Sequence, residues 1–188
     1  VKVLAYQMPK NRRDEWKSEV ACEDMHMTHN FDVVTFDKGS SEEVFFVGGR
    51  EGIRLVAGGH RSLGSKVVVD HRTSNPPLNG VGEIRIGIAD AAKKKVIIPT
   101  IEPMHGNVVA CYNEPESGSG GLRGFERTVL DSTLEDGHAL ACGDLLGIGR
   151  AGVHRHVVVR CQGRHGAEVI AVAVGHEDGR GAHAELSH

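Results

Sequence analysis

Short apolar runs broken by glycine-rich polar turns fill the first 150 residues, a pattern of antiparallel strands rather than helices. Val1–Tyr6 alternates weakly and predicts a strand. Met8–Asp14 predicts a polar turn around Pro9 and Asn11, and Trp16–Val20 an outer strand. Four strands are then expected at Phe31–Phe36, Glu43–Val47, Ile53–Ala57 and Lys66–Val69. The breaks between them hold Lys38-Gly39-Ser40, Gly48-Gly49 and Gly58-Gly59, where glycine supplies the positive φ of tight turns. Asn75-Pro76-Pro77 ends this unit. A second set is expected at Glu83–Ile88, Val96–Ile101, Val108–Tyr112 and Phe125–Leu130, with a Gly/Ser surface loop over Glu114–Gly121.

The sets repeat one plan. His29-Asn30-Phe31-Asp32-Val33-Val34 opens the first, Gly82-Glu83-Ile84-Arg85-Ile86-Gly87 the second, and His138-Ala139-Leu140-Ala141-Cys142-Gly143 a third. Aligned on His29, Glu83 and His138, the intervals are about 54 and about 55 residues, room for four short strands. That predicts an all-β chain: a β-propeller fragment of about three four-stranded antiparallel blades. The expected units are 1–24, the remnant of a preceding blade, then 25–75, 76–131 and 132–188, the last partial or divergent. In a propeller, equivalent positions of successive blades converge on a central channel.

Composition narrows the function classes. Aromatics make up 4% of the chain against 25 glycines, which suits a turn-rich β architecture. The formal charge is −3 and the basic residues are scattered, so a nucleic-acid surface has no support. No apolar run approaches the roughly 18 residues of a membrane span. Cys22, Cys111, Cys142 and Cys161 form no C-x-x-C pair and read as buried free thiols. The chain opens at Val1 directly into a strand-like run, which reads as a fragment. Beyond Arg150 it turns to Gly, His, Arg, Ala and Val without an aromatic residue. A shifted reading frame in the coding DNA and a divergent blade with an exposed tail both fit that change, and sequencing the DNA separates them.

Thr28-His29-Asn30-Phe31, Glu43-Val44-Phe45-Phe46-Val47 with Arg50-Glu51-Gly52-Ile53, and Asp136–Leu140 leading into Gly143–Gly149 resemble blades of the FG-GAP/VCBS-type propellers. Gly82-Glu83-Ile84-Arg85, Thr100–Asn107 and Asp136–Leu140 together resemble the propeller domain of the aldos-2-ulose dehydratase family, over roughly residues 1 to 150. The resemblance implies a seven-bladed ring, of which further blades, and in fungal members cupin domains, lie outside this chain. It implies removal of water from a ketosugar such as 1,5-anhydrofructose, assisted by a divalent metal such as zinc. The FG-GAP loops carry several carboxylates around calcium. Here Thr35–Ser40 and Asp144–Gly149 each keep one, too few for that ion's oxygen shell, and no tight calcium site is expected.

The inner-strand openings hold His29, Glu83 and His138, and Met104-His105 lies at the turn before Asn107. His29, His105 and His138, with His26 three residues before His29, are the candidate zinc ligands. Dehydration beside a carbonyl needs a base, an acid for the departing hydroxyl, and a stabilised enolate. Glu83 or Glu102 is the candidate base, a histidine such as His105 the acid, and Arg85 the group that fixes a sugar oxygen or the enolate. Each histidine also fits a bonding role at a strand edge, and Glu102 before Pro103 a turn role. Two further readings compete with the enzyme: a non-catalytic propeller that binds a protein or a glycan through its loops, and a structural fragment with unpaired edge strands. On any of them this chain alone is expected to be inactive.

Overall fold

A computed structural model describes residues 2–35, 44–59, 62–90, 95–114 and 124–143, and the backbone of strands at 154–163, 166–175 and 184–186. Among the described residues, the regular structure is β apart from one 3₁₀ turn, His71–Thr73. Four antiparallel sheets follow one another along the chain. The first pairs β1 (Val3–Gln7) with β2 (Lys17–Cys22). The second orders β3 (Asn30–Val34), β4 (Val44–Gly49), β5 (Gly52–Gly59) and β6 (Ser62–Asp70) as a meander.

In the third sheet β7 (Glu83–Ile84) and β8 (Gly87–Asp90) both pair with β9 (Lys95–Glu102), followed by β10 (Val108–Asn113) and β11 (Glu126–Asp131). One strand was expected over Glu83–Ile88. It is broken because the Ile86 amide turns aside to Asp32 Oδ2 at 2.8 Å, a bond to the second sheet. The fourth sheet orders β12 (Ala139–Gly143), β13 (His154–Gly163), β14 (Gly166–Gly175) and β15 (Ala184–Leu186). No strand was assigned beyond residue 150 from the sequence, yet three form there. The Val-rich runs 157–159 and 169–174 sit centrally in β13 and β14, as β propensity favours.

The sheets pack face to face, and strand patterning shows it. In β9, Val96, Ile98 and Thr100 face the second sheet while Ile97 and Ile101 face the fourth, and all are buried. A strand covered on both faces reads as a continuous apolar run rather than an alternating one. Phe46, Ile53, Val81, Ile84, Ile98 and Tyr112 fill the contact of the second and third sheets. Ile97, Ile101, Val109, Leu134 and Leu140 fill that of the third and fourth. Met25, Cys22, Val47 and Val56 join the first two. The first sheet has only two strands, and on β3 Phe31 (59% exposed) and Val33 (40% exposed) remain uncovered.

The repeat seen in the sequence has a backbone signature. Met27 (φ 49°), Gly80 (φ 98°) and Asp136 (φ 47°) are all left-handed, each three residues before the strand that opens its sheet. By that register His29, Gly82 and His138 are equivalent, one position off the His29–Glu83–His138 alignment read from the sequence. β7 touches both β3 and β12, which brings the three turns together at one end of the sheets.

Candidate functional site

Each of these turns delivers an imidazole or the backbone that holds one. The His29 amide bonds Gly48 O, and its ring Nδ1 lies 3.1 Å from Gly82 O and 3.4 Å from Glu83 Oε1. A carbonyl only accepts, so Nδ1 carries the proton and Nε2 presents a lone pair. That Nε2 lies 2.9 Å from His105 Nε2, and the two rings meet edge to face with centroids 4.4 Å apart. His105 therefore supplies the hydrogen of this bond from its own Nε2. The His138 ring lies on the other side of His105, also 4.4 Å between centroids, tilted by 55°. Three histidines far apart in the chain thus form one solvent-open cluster, contributed by the openings of the second and fourth sheets and the β9–β10 turn.

Glu83 sits behind the cluster. It is buried, accepts from Asn30 Nδ2 at 2.5 Å, and lies 3.8 Å from Arg85 Nη2. The place of Glu83 is that of a carboxylate orienting His29. Arg85 also donates to Ile84 O. His26 belongs to a separate pair, with its amide on Glu51 Oε2 at 2.7 Å and its Nδ1 at 2.8 Å from Glu51 Oε1. Burial would raise the Glu51 carboxyl, but the His26 amide and ring outweigh it and hold it below its ordinary range.

Glu102 is buried too, with both oxygens occupied. Tyr112 Oη (2.7 Å) and Thr100 Oγ1 (2.9 Å) donate to Oε1, and Arg127 Nε and Nη2 (3.0 and 2.8 Å) to Oε2. Fully buried His71 completes this group, with Nε2 2.6 Å from Tyr112 Oη and Nδ1 accepting the Gly80 amide at 3.1 Å. Burial lowers the His71 pKa and raises that of Tyr112, so both remain neutral. The sequence pattern assigns no chemistry to His71, Tyr112, Arg127 or Asn30, although Asn30 lies in the first repeat unit beside His29. The loops 36–40 and 144–149, where calcium binding was discounted, lie outside the described residues.

Two imidazole nitrogens on one ion, each about 2.1 Å from it, stand about 3.0 to 3.4 Å apart. The His29–His105 spacing of 2.9 Å is a little under that range, so a small opening of the pair admits an ion. Among the described residues, no three His, Cys, Asp or Glu side chains already surround a common point as a metal set would. The donor chemistry fits zinc through His29 and His105, with His138 adjacent, provided the His105 proton moves to Nδ1. No family model matches the chain, and no curated protein matches it.

Proposed function

We propose that this chain is a segment of a seven-bladed FG-GAP/VCBS-type β-propeller similar to that of the aldos-2-ulose dehydratases, and that its imidazole cluster takes part in metal-assisted removal of water from a ketosugar. The observation that carries this reading is the meeting of His29, His105 and His138 at one solvent-open point. Successive face-to-face packing of the sheets supports the architecture, and the uncovered Phe31 and Val33 fit a ring with further strands.

His29, His105 and His138 would hold the divalent ion, and Gly82 O with Glu83 would fix the tautomer of His29. Bound there, the ion would supply a Lewis acid for a sugar carbonyl. Arg85 is half-buried beside Glu83 and steadies that carboxylate. Glu102 has no lone pair directed at the cluster that another donor does not occupy, so Glu83 is the better candidate for moving a proton.

The test is turnover of 1,5-anhydrofructose by the full parent protein with and without zinc. Zinc-dependent loss of water, abolished in His29→Ala with His138→Ala, is the expected result. Unchanged turnover in that double variant discards the ligand assignment. The lack of a preformed three-ligand set among the described residues favours one second reading, a non-catalytic propeller that binds a protein or glycan through its loops. A parent protein that purifies without stoichiometric metal supports it.

A further inference from the structure

We propose that the buried chain His71–Tyr112–Glu102–Arg127 is the positioning network of the imidazole cluster, clamping together the two turns that set where His29 and His105 stand. This rests on the metal reading above and extends it to residues that no ligand would touch.

The first turn is wrapped around the His71 ring. Its amide donates to Glu51 O, its carbonyl accepts from the Leu78 amide, and its Nδ1 accepts from the Gly80 amide, at 3.0, 3.0 and 3.1 Å. Two residues on, Gly82 donates to Ile101 O and turns its carbonyl to His29 Nδ1. The second turn starts at Glu102, the last residue of β9, and carries His105. The turns are in backbone contact: a Cβ on Gly82 would lie 1.8 Å from Met104 O.

One assignment of hydrogens satisfies the whole chain. With Nδ1 accepting from Gly80, His71 must donate from Nε2 to Tyr112 Oη. The Tyr112 hydroxyl then donates to Glu102 Oε1, and Arg127 closes the other oxygen with a two-pronged fork. Tyr112 Oη is the joint between the second sheet's turn and the third sheet's. Close-packed interiors shift in discrete steps rather than by smooth deformation. A loosened joint therefore moves Gly82 O relative to His105 and opens the pair.

The rival account is that these residues merely hold two sheets together. Thr100 separates the two, because its hydroxyl bonds the same Glu102 oxygen from within the third sheet. Tyr112→Phe and Thr100→Val each delete one hydroxyl from that oxygen, and only the first cuts the joint. Zn²⁺ affinity is measured by competition with a chromophoric chelator, and imidazole ¹⁵N resonances of residues 29 and 105 are recorded without metal. Tyr112→Phe should weaken Zn²⁺ binding about tenfold or more and shift those resonances. Thr100→Val should leave affinity within about twofold and the resonances in place, although it also lowers the melting temperature.

Equal weakening by both variants, or none by Tyr112→Phe, overturns the proposal. If the unaltered protein binds no Zn²⁺, the metal reading falls, and the resonances alone decide whether the network positions the pair. Arg127→Lys, which keeps the charge and loses the fork, is the second probe should Tyr112→Phe not fold, with the same expectations.

Discussion

Two histidine-containing groups have opposite characters: a buried one joins the second and third sheets, and an open one gathers turns of the second, third and fourth. His71, Tyr112, Glu102 and Arg127 are buried, and each polar atom on the path between them has a partner. His29, His105 and His138 stand in solvent, with His29 and His105 turned nitrogen to nitrogen. The first arrangement is saturated: a further ligand would have to displace an existing bond at a cost in buried, unpaired polar groups. The second holds the His29 Nε2 lone pair by a single solvent-open bond from His105, which a ligand displaces without stranding a buried group. The same residue types do structural work where every valence is taken and can do chemistry where one is left open.

That contrast can be broken from the structural side. Gly82→Ala should have the largest effect, since its Cβ would meet the Met104 carbonyl carbon at 2.2 Å as well as the oxygen. A loss of about 4 kcal/mol is expected in urea unfolding, together with loss of the imidazole pair. Arg127→Met should come next, at about 3 kcal/mol, because it strands the Glu102 carboxylate in the core. Both values come from denaturant midpoints at pH 7.

Buried His71 sharpens the comparison through pH. Its folded pKa is lowered from 6.5 by burial, so as pH falls below 6.5 the unfolded imidazole takes a proton that the folded one refuses. Stability should fall by about 1.4 kcal/mol over each pH unit in that window from this group, and His71→Gln should remove that slope. A smaller acid-side effect belongs to Asp70, which Arg72 hydrogen bonds hold at about 2 against an ordinary 3.8. Its contribution is present above 3.8 and lost as pH drops toward 2, so Asp70→Asn should flatten melting curves only there. His29→Ala should change stability least, by about 1 kcal/mol, because the ring is partly open to solvent and the main loss is its one bond to Gly82 O.

Much of the fold was legible because it rests on short-range pattern. Apolar runs between glycine turns located the strands up to β12, and the repeat placed His29 and His138 at corresponding openings. The break at Arg85-Ile86 was not legible, since its cause is Asp32 of another sheet. The strands after residue 150 were missed because a histidine- and glycine-rich composition hid two Val-rich runs. At the site, His105 was found through its resemblance-bearing turn, but Glu83 and Glu102 read alike in the sequence. They differ in what surrounds them: Glu102 meets Tyr112 and Arg127 across the sheet, Glu83 meets Asn30 and His29 from the neighbouring one. His71 gave no signal, being an isolated histidine after a strand.

The most direct measurement is a Zn²⁺ titration of the purified chain beside its His29→Ala, His105→Ala and His71→Gln variants. The account predicts saturable binding of one ion, lost in the first two variants and weakened but retained in the third. Binding that survives removal of both His29 and His105 would contradict it.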